Sequence, residues 1–295
     1  MDKLKAAIVL ARPHQYTKNI FIWAPAFFGY RLTDPAALWS TFWAFVCFCL
    51  ISSAVYTLND LRDVEEDRNH PKKRNRPLAS GALSPRDGVL MMAVLAISSL
   101  TLSLIFLNGQ YLLILAVYVA LNIGYSFYLK RFAVVDVVCI ALGFVLRVFA
   151  GGVVTGIAIS HWLVVMVFLL ALFLALAKRL DDLRLNESGN AVTRKSISGY
   201  NLLMVRSGMN VMMSVIIVSY LLYTTSPEAV AKHGTDKLYL TSFWVIVGLL
   251  RYLQISLVDE RSGSPTLVLI KDPFIRIVVA FWILTFYILI YVHSG

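Results

Sequence analysis

Apolar residues run in long blocks along this chain, and polar residues gather in short segments between them. A helix needs about 20 predominantly apolar residues to cross the hydrocarbon core of a bilayer. On that measure the pattern predicts nine spans, at about 19–31, 37–58, 87–107, 110–128, 133–152, 161–180, 207–225, 238–257 and 273–292. The first contains Pro25, and the fifth contains Asp136, Arg147 and paired glycines, so these two depart most from a uniform apolar helix. Two connecting segments are long, about 59–86 and 179–206, and they follow spans two and six. Four spans separate them. That spacing suggests two repeats of four helices, about 19–128 and 133–257, with a ninth helix after them. The expectation is one transmembrane domain over residues 1–295.

Composition agrees with a membrane chain. Of the 295 residues 59% are hydrophobic and 15% charged, whereas a soluble domain carries about 25% charged residues. A formal net charge of +10 would suit nucleic acid, but the basic residues lie between the spans, and no nucleic-acid partner is expected. They are also unevenly shared. The N-terminus and the loops after spans two, four, six and eight carry nearly all of them, and the other side has Arg31, Lys232 and Lys237. Excess Lys and Arg mark cytoplasmic loops, so the N-terminus and the long loops are expected in the cytoplasm. Met1 to Arg12 has one short apolar stretch, Ala6 to Ala11, and no small-residue cleavage site after it, so no cleaved leader is expected. Cys47, Cys49 and Cys139 lie inside apolar runs without a CxxC pair and read as packed free thiols. His70 and His161 lack a second histidine or cysteine at zinc-ligand spacing.

The chemistry concentrates where the second span leaves the membrane. Asn59, Asp60, Asp63 and Asp67 follow at intervals of one, three and four. Residues three and four apart share a helix face, so a continuous helix would align the three carboxylates, with Asn59 at the edge. Carboxylates at membrane depth cost about 2.5–3.5 kcal/mol each unless charge compensates them. Hard oxygen ligands suit Mg2+, which takes one or two carboxylates and completes its shell with phosphate oxygens and water. The plainer reading is a solvated helix end, since Arg62, Glu65, Glu66 and Arg68 are interleaved. Three aspartates and an asparagine in register favour a metal site that holds a substrate diphosphate. A basic segment, His70-Pro71-Lys72-Lys73-Arg74-Asn75-Arg76-Pro77, comes next. It can contact anionic lipid, or bind phosphate through Arg forks and Lys point charges. Arg62, Lys72, Arg74 and Arg76 are the candidates here.

The stretch NDLRDVEEDRNHPKKRNRPLASG resembles the first signature of the UbiA superfamily of intramembrane prenyltransferases. Further segments are similar to one branch, the decaprenyl-phosphate phosphoribosyltransferases of cell-wall arabinan precursor synthesis. They are Arg12-Pro13-His14-Gln15-Tyr16-Thr17-Lys18-Asn19, with Tyr16 where the branch has Trp, then Tyr125 to Lys130 ahead of Asp136, Leu146 to Gly152, and Ala177-Lys178-Arg179. The resemblance covers Arg12 to Arg179 and adds little beyond its helices in the C-terminal third. It implies an all-α integral membrane bundle of nine transmembrane helices, with a central cavity opening to the cytoplasmic side. One departure from the superfamily is informative. Its aromatic prenyltransferases have a second acidic motif, DxxxD, in the loop after span six. Here Asp181 and Asp182 are adjacent, and the polar residues at that place are Lys178 and Arg179.

One acidic and one basic motif suit phosphoribosyl diphosphate as donor and a polyprenyl phosphate as acceptor. The implied reaction is Mg2+-dependent phosphoribosyl transfer in cell-envelope precursor synthesis, at a bacterial cytoplasmic membrane. The implied catalytic and metal-binding residues are Asn59, Asp60, Asp63 and Asp67. Lys18, Lys130, Arg147, Lys178 and Arg179 are candidate phosphate cations, with Tyr125 as a hydrogen-bond donor and Asp136 as a supporting ligand. Arg147 sits mid-span and needs a partner. Asp136 is one possibility, although it lies about three turns away on the same helix, and a substrate phosphate is the other. Two rivals remain. One is a prenyltransferase that moves a polyprenyl group from its diphosphate to an aromatic acceptor. The other is a transporter, for which intramembrane charge and repeats are also suited.

Overall fold

The computed structural model describes residues 2–69, 73–187, 195–260 and 265–292. Helix α1 (Lys3–Ala11) ends where Arg12 takes a left-handed backbone, φ 54°. Pro13 then opens a tighter 3-10 segment, Pro13–Trp23, and a short α2 (Ala24–Phe28) follows. The first apolar block is therefore not one helix. Eight helices, rather than nine, are long and apolar enough to cross a membrane among the described residues, and this broken segment precedes them. Proline is the cause. It lacks an N–H, and its ring collides with the carbonyl four residues earlier, so Pro25 is accommodated in the first turn of a new helix. The chain is an all-α, multi-pass membrane protein, with no strand among the described residues.

The described residues within Met1–Ile159 and Ser188–Ser196 form one compact unit. Its centre is α3 (Pro35–Arg62), which starts at an N-cap: the Asp34 carboxylate accepts from the N–H groups of Ala36 and Ala37 at 3.0 and 3.4 Å. A short α4 (Val64–Arg68), then α5 (Pro85–Phe106), α6 (Gly109–Phe127) and α7 (Val135–Thr155) complete the unit. Helices α3 and α7 are inner, with 56% of their apolar windows buried, whereas α5 buries 11% and turns Leu90, Val94, Ile97 and Leu104 outward. Lipid offers apolar helices no hydrophobic gain from association, so close packing of small residues and internal hydrogen bonds must hold them. Ala44, Cys47 and Ala54 of α3 pack with Tyr111, Leu115 and Tyr118 of α6. The Tyr111 hydroxyl donates to the Ala44 carbonyl at 2.9 Å, and the Ser99 hydroxyl to that of Cys47 at 2.8 Å. All three cysteines are buried free thiols, as expected.

The described residues within Ser160–Glu187 and Ile197–Gly295 form the second unit, with α8 (His161–Glu187), α9 (Leu202–Thr225), α10 (Pro227–His233), α11 (Ser242–Leu257), α12 (Pro265–Lys271) and α13 (Pro273–Tyr287). Helix α8 packs on α9, and α11 on α13. Arg184 closes the end of α11 by donating to the Ser256 carbonyl at 2.7 Å, a cation at the negative pole of a helix. Arg251 donates to Asp272, the N-cap of α13, at 2.7 Å.

The 3-10 segment lies against α7 at Gly151, where an added Cβ would overlap the Ile22 carbonyl and come within 3.1 Å of Pro25 Cδ. Gly151→Ala is expected to cost about 1–3 kcal/mol through overpacking. The detergent-solubilised variant should melt several degrees below wild type. Gly143→Ala is the control, because its Cβ would meet Arg147 Nη1 at an ordinary 3.5 Å; a Gly151→Ala melt equal to the control would contradict this packing.

Candidate active site

The acidic cluster does not lie on one uninterrupted helix. α3 ends at Arg62, Asp63 occupies the junction, and α4 restarts from it, with the Asp67 N–H donating to the Asp63 carbonyl at 2.8 Å. The break sorts the carboxylates. Asp60 and Asp67 are each 2% exposed and share one guanidinium: Arg76 Nη1 donates to Asp60 Oδ1 at 2.9 Å and to Asp67 Oδ2 at 2.6 Å. Arg12 Nη2 donates to both oxygens of Asp60, with Oδ2 at 2.7 Å, and Lys73 Nζ stands 3.6 Å from Asp67 Oδ1. Asp63 turns to another partner, Lys130 Nζ, at 2.5 Å. Among the described residues, Arg12, Lys73, Arg76 and Lys130 meet these three carboxylates.

Local folding fixes these cations. Ala6 and Leu10 of α1 pack with Leu78 and Leu83 just after the basic segment, and with Leu61 and Val64 at the α3–α4 junction. This apolar clasp brings Arg12 and Arg76 to the same carboxylate although they are far apart in sequence. The left-handed backbone at Arg12 ends α1 directly beside Asp60. Sequence reasoning did not select Arg12, Lys73 or the partners of Arg147. The only signal for Arg12 was its place in the Arg12-Pro13 motif, since nothing local connects it to a residue 48 positions away.

Other sequence candidates lie elsewhere. Arg62 is exposed, with its guanidinium 4.4 Å from the Phe127 ring centroid. Arg74 is exposed in the basic segment, and Lys72 lies outside the described residues. Tyr125 is half-buried near the end of α6. Asp136 is fully buried in the first turn of α7, where it accepts from the Val137 N–H at 2.8 Å and from the Ser196 hydroxyl at 3.1 Å. Arg147 does not pair with Asp136: it forms no ion pair among the described residues. Its Nε donates to Asn19 Oδ1 at 2.7 Å, Nη1 to the Gly143 carbonyl at 2.7 Å, and Nη2 to the Tyr118 hydroxyl at 3.1 Å. Lys18 lies in the 3-10 segment, outside the eight long helices, and burial and the Arg147 charge hold its ammonium down at about 8. In the second unit, Lys178 is exposed, and the buried Arg179 donates to Asp182 at 2.7 Å.

Residues 21–270 match the UbiA prenyltransferase family. The chain belongs to that family. Among curated UbiA-type relatives, the decaprenyl-phosphate phosphoribosyltransferase of Mycolicibacterium smegmatis is 32% identical over 94% of this chain and 89% of its own length. That of Corynebacterium glutamicum is 32% identical over 95% and 85%. The fold is shared with a UbiA homolog from Archaeoglobus fulgidus solved with GPP and Mg2+, at TM-score 0.72 and 20% identity, covering 97% of this chain and 99% of that one.

The acidic cluster of this UbiA chain was expected to hold a divalent cation. Asn59 Oδ1 is buried and accepts no hydrogen bond among the described residues. An unpaired buried acceptor costs about 1–3 kcal/mol. Among the described residues no three His, Cys, Asp or Glu side chains are placed to hold a metal ion together, because Asp63 turns to Lys130 while Asp60 and Asp67 share Arg76. An ion that draws only part of its shell from protein, such as Mg2+, suits such an open set.

Arg76 offsets two buried charges, so Arg76→Gln should lose about 3–5 kcal/mol. In EDTA its melting midpoint is expected well below wild type, and Mg2+ with inorganic diphosphate should restore part of the gap. A variant that melts like wild type in EDTA would show that the bridge does not matter.

Proposed function

We propose that this chain transfers a 5-phosphoribosyl group from phosphoribosyl diphosphate to a polyprenyl phosphate. The observation that carries the reading is the composition of the acidic cluster: three carboxylates met by two arginines and two lysines, with the Asn59 amide oxygen unpartnered among the described residues. Such a cluster suits a polyanionic donor. The curated relatives named above, which align over most of the chain, support the same reading.

In the proposed reaction an oxygen of the lipid phosphate attacks ribose C1. The bond between C1 and the diphosphate oxygen breaks, and its electron pair leaves with the diphosphate. The phosphate nucleophile is already ionised, so the chain need not supply a base. Asn59, Asp60, Asp63 and Asp67 would hold Mg2+, which neutralises the departing diphosphate when bound. Arg12, Arg76, Lys73 and Lys130 occupy the carboxylates beforehand. With a metal ion held there, these side chains would be free to bind diphosphate oxygens. Metal and diphosphate therefore bind together, each weakly without the other. Catalysis here is positioning and charge stabilisation. By the basic-residue asymmetry, the cluster faces the cytoplasm of a bacterial cell.

The GPP-bound structural neighbour favours a second reading, in which a prenyl diphosphate is the donor. Purified protein in nanodiscs with Mg2+ and labelled phosphoribosyl diphosphate decides between them. Label is expected to enter the lipid fraction only when polyprenyl phosphate is present, and Asp60→Asn or Asp63→Asn should slow transfer at least about 100-fold. Label that stays in water while a prenyl diphosphate is consumed with an aromatic acid would establish the second reading instead.

A further inference from the structure

We propose that two segments of the first helical unit, α1 and the turn between α6 and α7, are seated in the headgroup region of an anionic phospholipid leaflet. Each sets exposed apolar side chains beside exposed cations. On α1, Leu4 is 69% exposed and Ile8 and Val9 are half-exposed, with Lys3 and Lys5 exposed among them. In the turn, Phe132 is 59% exposed, Tyr128 and Val134 are exposed as well, and Arg131 stands out beside them. The charge is one-sided: residues 2–11 hold two lysines and one aspartate, and residues 128–135 hold no acid.

Neither segment belongs to the eight long apolar helices. The nine residues of α1 rise about 14 Å, less than half of the roughly 30 Å hydrocarbon core. The turn holds a 3-10 stretch, Leu129–Arg131, followed by Val134 at φ 68°. Irregular backbone of this kind is not tolerated against hydrocarbon. Water suits the apolar side chains no better. The headgroup region satisfies both needs, with an acyl edge for the apolar groups and phosphates for Lys and Arg, whose long stems reach from one to the other.

The two segments stand at one end of the unit. Helix α1 turns Ala6 and Leu10 inward, and Met91 in the second turn of α5 packs against the same cluster. Leu4 and Ile8, four apart, share another face of α1. Next to Met91 in sequence, Leu90 points outward, as does Val94 one turn on, so α1 lies beside the start of a lipid-facing row. Arg12, which follows α1, meets Asp60, and Lys130, inside the turn, meets Asp63. Both carboxylates stand at the C-terminal end of α3. Seating the two segments therefore sets the depth of the acidic cluster at the level of the lipid phosphates. The inference needs these contacts and does not rest on the transfer reading.

Spin-label accessibility tests the seat without turnover. Leu4→Cys and Phe132→Cys are made in the full-length protein and labelled with a nitroxide in nanodiscs of equal parts phosphatidylcholine and phosphatidylglycerol. The native cysteines are buried, and wild type treated in the same way gives the background. Ile97→Cys, on the outward side of α5 near its middle, marks the bilayer interior, and free nitroxide in buffer marks water. Power saturation is measured with oxygen, which partitions into lipid, and with a neutral nickel chelate, which stays in water. Both labels are expected at a depth between the two references. Lys3→Gln with Lys5→Gln should raise nickel access of the Leu4→Cys label at least about twofold in the anionic discs, and Arg131→Gln that of the Phe132→Cys label. Neither change should appear in discs of phosphatidylcholine alone. Labels as open to nickel as free nitroxide would overturn the seat. So would labels shielded from both reagents, which a protein partner or a second copy would produce, and so would charge removal with the same effect in both kinds of disc. If the depths stand while no phosphoribosyl transfer is found, the transfer reading fails and the seat survives.

Discussion

A single guanidinium that bridges two buried carboxylates sets the form of this site. Asp60 and Asp67 are nearly inaccessible, and a carboxylate in that position must be compensated or given up. Arg76 reaches both, and Arg12 doubles the compensation at Asp60. The surrounding structure holds that arrangement. The break at Asp63 turns Asp67 back toward Asp60, the clasp of Ala6, Leu10, Leu78 and Leu83 ties the basic segment to α1, and Arg12 ends α1 in a left-handed turn. Loss of any one of these leaves a buried charge with less compensation, so folding of the site and its electrostatics are one problem.

The same constraint bears on function. Carboxylates already neutralised by arginine and lysine are not a strong site for a bare metal ion, because the ion must displace those cations. A diphosphate that arrives with the ion gives the displaced cations new oxygen partners. On the proposed reading the Asn59 oxygen, unpartnered among the described residues, would meet the ion without any displacement. On this account the site discriminates against metal alone and against diphosphate alone. Deeper in the unit Arg147 is handled differently, by neutral oxygens and ring faces that hold the guanidinium without cancelling its charge.

Hydropathy made eight of the membrane helices legible, because burial in lipid writes itself into long apolar runs. It misread the segment around Pro25, where a window averages apolar content and is blind to a missing N–H. Local spacing located Asn59, Asp60, Asp63 and Asp67, and also led to the expectation of one continuous carboxylate stripe. That expectation missed the break at Asp63, across which Asp63 pairs with Lys130 and Asp67 with Arg76. Partners distant in sequence left no trace at all. Arg147 reads locally as a candidate for pairing with Asp136 on its own helix, yet the side chains it donates to, Asn19 and Tyr118, come from other elements. Nothing short of the folded unit brings those residues together.

Coupled entry of metal and diphosphate is the claim on which the account stands, and Mn2+ reports it directly through its paramagnetism. Wild-type protein in nanodiscs is titrated with Mn2+ and bound ion is read by electron paramagnetic resonance, once alone and once with saturating inorganic diphosphate, against blanks without protein. The account predicts weak binding alone and at least about tenfold tighter binding with diphosphate, beyond the affinity of diphosphate itself for the ion. Equal affinity in both titrations would contradict it.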